Sequence, residues 1–210
     1  IKGRAGVGLL SALPVIDKRY GLPGLAEDVD SGRWIEADVK TPQGYTVTVV
    51  CVYVHAGNTD DPEKMKQKYR FLDTMLVRMG QLRDEAAHGG KQAVLCGDFN
   101  IAHTPLDIKN AKANEKHAGF LPEERAYVDK WLGELEFVDV MRSLCGDIQG
   151  PYTWWSQRGR AFDNNVGWRI DYQFATPELA ETARGFVIDK APTYDLRWSD
   201  HAPLSITYDV

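Results

Sequence analysis

Five polar residues stand where a folded sheet would ordinarily place apolar ones: Asp98, Asn100, Asp171, Asp200 and His201. Each lies inside or at the end of a strand-like segment. The clearest case is residues 91–100, KQAVLCGDFN, where a short apolar run passes directly into Gly97-Asp98-Phe99-Asn100. A carboxylate and a carboxamide two residues apart can face the same way at the mouth of a sheet, where a water and a phosphate could meet them. Gly, Asp and Asn are also the usual turn residues, so these four alone read first as a polar turn after a core strand. Three carboxylates placed this way need partners: neighbouring donors, a metal or a histidine. A buried Asp beside His raises the imidazole pKa and fixes its orientation. Asp and Asn oxygens are the hard ligands that Mg²⁺ takes. Singly each residue reads as structural; together they point to a hydrolytic site.

The elements that must position these groups follow from pattern. The chain has 210 residues and 43% hydrophobic content, which fits a single domain with a sizeable core. Residues 7–11 are strand-like, and 13–16 lead into a Gly/Pro/Asp-rich loop through Gly32. Residues 34–39 alternate apolar and polar, which predicts a strand with one solvated face. Residues 45–54, YTVTVVCVYV, suit a central strand that ends on the polar outlet YVHAGN, with Pro42-Gln43-Gly44 turning the hairpin before it. Asp61-Pro62 starts a long amphipathic helix whose buried stripe is Met65, Tyr69, Leu72, Leu76, Met79 and Leu82. Lys64, Lys66, Lys68, Arg70 and Asp73 cover its other faces, and Gly89-Gly90 ends it before the 91–100 strand. The polar loop 104–119 carries Lys109, Asn110, Lys112, Asn114, Lys116 and His117; it reads as solvated or as a phosphate-binding surface. Residues 122–135 form a second helix. An aromatic strand, 151–156, passes through the basic loop Arg158-Gly159-Arg160 to NNVGWRIDY. Residues 177–184 form a short helix, and Arg197-Trp198-Ser199-Asp200-His201 opens the last strand.

Charge and cysteines narrow the class. A formal charge of −5 gives no global basic field, leaving local patches for any phosphate contact. Three cysteines, Cys51, Cys96 and Cys145, lack CxxC spacing and read as reduced thiols of a cytoplasmic, nucleoid-associated protein. No apolar run approaches membrane-spanning length, so no membrane partner is expected.

The segments LCGDFN, NNVGWRIDY and SDHAPLSI, in this order with NEKHAGFLPEER and YVHAGN, resemble the exonuclease III / class II AP endonuclease family of the endonuclease/exonuclease/phosphatase superfamily. The resemblance covers the chain from about Gly6 onward. It implies a four-layered α/β sandwich of two mostly antiparallel sheets flanked by helices. It implies that Asp98 orients or deprotonates the attacking water, that Asn100 holds the water or the phosphate, and that His201 contacts a non-bridging oxygen. By the same resemblance Asp171 keeps His201 protonated, and Tyr53 sits by the phosphate and the leaving 3′-oxygen. Asp200 helps hold the metal, with Asp98 and Asn100 as further candidates. Trp154, Trp168 and Ile170 match the walls of a pocket for a flipped-out abasic sugar. Asn114, His117 and Arg169 match substrate-binding positions. Family members also carry, upstream, an Asn and a metal-binding Glu on their first two strands. No counterpart exists here, so the expectation is a domain lacking its N-terminal strands and its main Glu ligand, a piece of a longer protein.

The expected function is therefore a Mg²⁺- or Mn²⁺-dependent phosphodiesterase, monomeric, acting on duplex DNA. It would cut 5′ of an abasic site, or degrade and clean 3′ ends. The alternatives are a same-fold phosphodiesterase acting on lipid or inositol phosphates, and a catalytically impaired DNA-binding module.

Overall fold

A computed structural model describes residues 5–26 and 31–210. Its main sheet runs in the order β1-β2-β3-β4-β8-β5. The strands are β1 (Val15–Tyr20), β2 (Trp34–Lys40), β3 (Thr46–Tyr53), β4 (Gln92–Asp98), β5 (Val138–Asp139) and β8 (Asp171–Ala175). Among the described residues only the β3–β4 pairing is parallel, because the long helix α1 (Pro62–Ala87) carries the chain back across the sheet between them. Asp61 caps that helix by accepting from the Lys64 backbone N–H at 3.3 Å, and Pro62 follows as its first residue.

Strand alternation sorts side chains onto two faces. Val50, Val52, Leu95, Tyr172 and Phe174 look toward Phe71, Leu72, Met75, Met79 and Leu82 of α1. Val128 and Trp131 of α3 (Pro122–Gly133) complete this core, in which Phe99 meets Trp131 and Phe174 at ring-centroid distances of 5.7 and 4.9 Å. On the opposite face Val47, Val94 and Ala175 pack with Val140 of α4 (Val140–Cys145) and Leu179 of α5 (Pro177–Ala180). Ile206 and Tyr208 close over that face from the hairpin of β9 (Ala183–Ile188) and β10 (Leu204–Tyr208). Helices thus cover both faces of the main sheet and the β9–β10 pair packs on one of them, a mixed α/β arrangement of sheets flanked by helices. Further elements are α2 (Ala111–Asn114), a two-stranded ribbon of β6 (Trp154–Trp155) and β7 (Gly167–Trp168), and two 3-10 turns at Pro105–Asp107 and Tyr194–Leu196.

Several expectations change. Residues 7–11 form no strand, and Leu10 is fully exposed. The loop expected after Ile16 begins instead with the edge strand β1; its residues 27–30 lie outside the described residues. The polar side of β2 is not solvated: Glu36 and Asp38 are 0% and 1% exposed. Glu36 accepts from Arg19 at 2.7 Å, from Arg78 of α1 at 2.7 Å and from Trp34 at 3.0 Å. Asp38 accepts from Arg19, Lys91 and Thr48. The helix expected over 177–184 stops at Ala180, and β9 begins at Ala183. Lys68, expected on a solvent face of α1, is fully buried.

Candidate active site

Tyr53, Asp98 and Asp171 form one row across three neighbouring strands, Tyr53 paired with Asp98 and Asp98 with Asp171. By alternation all three project toward the β9–β10 layer, at the rim of the sheet. Gly97 makes the approach to Asp98 possible. Its φ is +143°, and a Cβ there would lie 1.9 Å from the Val52 carbonyl oxygen, so no other residue fits. Beyond it Asn100 adopts a left-handed φ of 50° and folds back on Asp98. Its backbone N–H donates to Asp98 Oδ1 at 2.8 Å and its Nδ2 to Asp98 Oδ2 at 3.0 Å. The expected polar turn and the expected site are thus the same structure.

His201 arrives from the other layer. Its main chain pairs with Trp154, and its Nδ1 donates to Asp171 Oδ2 at 2.9 Å. Nε2 is left 3.9 Å from Asp98 Oδ2. Burial works against a charge on the imidazole. The hydrogen bond and charge of Asp171, with the charges of Asp98 and Asp200, outweigh it and lift the ring to about 8. Burial and the negative charge of Asp171 push the Asp98 carboxyl up to about 7, against the pull of His201, Asn100 and Lys68. The pair is therefore an acid and a base separated by a gap that one phosphate oxygen or water could bridge.

A cavity of about 490 Å³ opens on this row. It collects Tyr53, Asp98, Asn100, Asp200 and His201 on one side, and Trp154, Trp168, Ile170, Asn114 and His117 around the rest. The indoles of Trp154 and Trp168 meet edge to face at 6.0 Å, and Trp154 Nε1 donates to Asp200 Oδ2 at 3.0 Å. Arg169 does not join them. It is fully buried and ion-pairs with Asp107 and Asp139, both at 2.7 Å, so its expected substrate contact is corrected to an internal one. Its neighbours Trp168 and Ile170 face the pocket because β alternation turns Arg169 the other way.

Two features escaped the sequence reading. Lys68 Nζ donates to the backbone carbonyls of Asn100 at 2.9 Å and Ala56 at 3.1 Å, and ion-pairs with Glu124 at 2.5 Å. Glu124 accepts in turn from the Gly119 and Leu121 backbone N–H groups. Asn100, Ala56 and Gly119 all line the pocket, so this buried pair ties three of its walls together. An adjoining cavity of about 590 Å³ shares Tyr53, Ala56 and Gly57 and is lined by Arg33, His55, Asn58, Lys64 and Gln67. Burial, with the charges of Arg33 and Lys68, pushes His55 down to about 4 and keeps it neutral. The YVHAGN outlet was the signal for this second cavity.

A divalent cation needs several oxygen donors. Asp98 and Asp200 already accept from Asn100 and Trp154. Among the described residues no three of His, Cys, Asp or Glu gather in a metal-binding arrangement. These side chains alone do not complete a metal site.

The sequence profile of the Endonuclease/Exonuclease/phosphatase family matches residues 1–201. The chain belongs to this family. Within it, the chain is 32% identical to the exodeoxyribonuclease of Bacillus subtilis over 209 residues, which is 100% of the chain and 76% of that protein. It spans smaller shares of other curated relatives, down to 28%. Superposition on an AP endonuclease from Archaeoglobus fulgidus gives a TM-score of 0.81 at 31% identity, covering 95% of this chain and 73% of that one. The 3′ phosphatase NExo from Neisseria, bound to a product DNA hairpin, gives 0.82 at 29% identity with the same coverage.

Proposed function

We propose that the chain is a DNA-repair phosphodiesterase that hydrolyses duplex DNA 5′ of abasic sites, removes nucleotides or blocking groups from 3′ ends, or does both. The observation that carries this reading is the Asp98–His201 pair facing one pocket that has apolar indole walls. His201, protonated at neutral pH, donates Nε2–H to a non-bridging phosphate oxygen and stabilises the charge that gathers there in the transition state. Asp171 positions the ring and keeps Nδ1 as a donor. Asp98 accepts a proton from the attacking water, and Asn100 fixes the carboxylate in place. The water oxygen bonds to phosphorus, the bond from phosphorus to O3′ breaks, and O3′ takes up a proton from solvent. Tyr53 borders the position of that leaving oxygen. Trp154, Trp168 and Ile170 give a baseless sugar an apolar seat, and Asn114 and His117 stand at the rim where flanking phosphates pass.

The family is one of metal-dependent nucleases, and the finer reading here is a requirement for Mg²⁺ or Mn²⁺. In support, two neighbouring carboxylates hold excess negative charge at the rim. The test is incubation of an abasic-site duplex with Mg²⁺, with Mn²⁺ and with EDTA, beside bis-p-nitrophenyl phosphate and a phospholipid substrate. The reading expects metal-dependent incision that leaves a 3′-hydroxyl. Cleavage of lipid but not DNA would favour the lipid-phosphate alternative. DNA binding without incision would favour a binding module.

A further inference from the structure

Trp198 is 85% exposed, two residues before Asp200. A bare indole in water is unusual for a side chain that could pack inward. Its loop is nevertheless fixed on both sides. The Arg197 guanidinium lies 4.1 Å from the Tyr194 ring centroid and 5.5 Å from that of Phe162, and donates to the Trp155 carbonyl at 3.3 Å. After Trp198, the His201 backbone N–H donates to Ser199 Oγ at 3.1 Å, and the Trp155 N–H to the Asp200 carbonyl at 2.9 Å. The backbone that carries the indole is therefore anchored on both sides, with the ring in solvent. It borders a cleft of about 370 Å³ with Gln157, Tyr194, Asp195 and Arg197, and a narrower one that reaches His201. Exposed Arg158 and Arg160 follow Gln157; Arg160 pairs with Asp163 at 3.6 Å, and Asp195 and Asp189 line the two clefts, so Arg158 is the cation this flank offers to a phosphate.

We propose that Trp198 stacks on a base of the DNA strand whose phosphate occupies the Asp98–His201 pocket. This rests on the phosphodiesterase reading. The aromatic face is continuous with the phosphate pocket through Ser199–His201, and Arg158 beside the cleft offers a cation to a DNA backbone. An exposed indole carried on an anchored loop suits any base, since every base offers a π-face.

The test uses the whole chain. Binding of a fluorescein-labelled abasic duplex in EDTA is measured by anisotropy for wild type, Trp198→Ala and Trp198→Phe. Bis-p-nitrophenyl phosphate hydrolysis with Mg²⁺ and sedimentation are run beside it. Trp198→Ala should weaken DNA binding about tenfold. Trp198→Phe should keep most of the affinity, and hydrolysis of the small diester and the sedimentation of the free protein should not change. Equal DNA affinity for wild type and Trp198→Ala would overturn the proposal, as would an equal loss on the small diester. A changed oligomeric state with unchanged DNA affinity would overturn it too, and assign the indole to a contact between copies. Absence of DNA binding by wild type would instead remove the phosphodiesterase reading itself.

Discussion

Asp171 receives His201 Nδ1–H on both carboxylate oxygens, at 2.9 and 3.1 Å. The pairing crosses from one sheet layer to the other, so it fixes the imidazole ring and also joins the layers at the rim. In the metal-free protein the His201 ring should titrate near 8 by NMR. In Asp171→Asn the burial of His201 is opposed by less negative charge, so the titration should fall by at least about one unit. An unchanged titration would show that Asp171 does not set the charge.

Asp98 pays for its position in stability. Its carboxyl is held up to about 7 by burial and Asp171, so above that pH the site carries an unfavourable charge. Asp98→Asn should raise stability at pH 8 by about 1–2 kcal/mol while slowing incision by about 10²- to 10⁴-fold. The gain should shrink as pH falls below 7, where the wild-type carboxyl is itself protonated. Urea titrations at pH 8 and 6 measure both values.

The charged layer on β2 makes a different pH prediction. Arginine neighbours, with Lys91 beside Asp38, hold Glu36 and Asp38 below the usual carboxylate range, and Arg169 and Arg142 hold Asp107 down to about 2. Each folded-state pKa is below the unfolded value of about 4. The stabilisation is therefore complete above pH 4 and is lost as pH falls towards 2, with about 2 kcal/mol of it from Asp107. Thermal unfolding from pH 7 to pH 2.5 should show a steep fall below pH 4 that is shallower in Asp107→Asn.

The sequence shows those features that rest on local pattern. Asp98, Asp171 and His201 could be read because each interrupts a strand with a polar residue, and a short strand leaves its end residue at a sheet rim. Glu36, Asp38 and Lys68 differ from expectation for one shared reason, while Arg169, expected at the substrate through resemblance alone, is drawn inward by Asp107 and Asp139. Alternation reports which face a residue takes, and the sequence reading equated a polar face with water. Here the partners that make burial tolerable come from distant segments, as with Arg78 for Glu36 and Asp107 for Arg169. Strand β1 escaped notice because an edge strand with mostly exposed side chains carries no hydrophobic alternation.

Lys68 and Glu124 give the corresponding mutational prediction. Lys68→Met alone leaves Glu124 buried without its partner and should destabilise the fold by about 3–5 kcal/mol. Lys68→Met with Glu124→Gln should recover much of that loss. The double variant still lacks the donor to the Asn100 and Ala56 carbonyls, so single-turnover incision should stay about tenfold or more below wild type. Wild-type rates in the double variant would reduce the pair to a stabilising role.

The central claim is that Asp98, Asp171 and His201 act as one unit on one phosphate. Single-turnover incision of an abasic duplex by Asp98→Asn, His201→Asn and the double variant tests it most directly. Each single variant should lose about 10²- to 10⁴-fold, and the double variant should lose little more than the worse single one. Multiplicative losses, or near wild-type rates in either single variant, would contradict it.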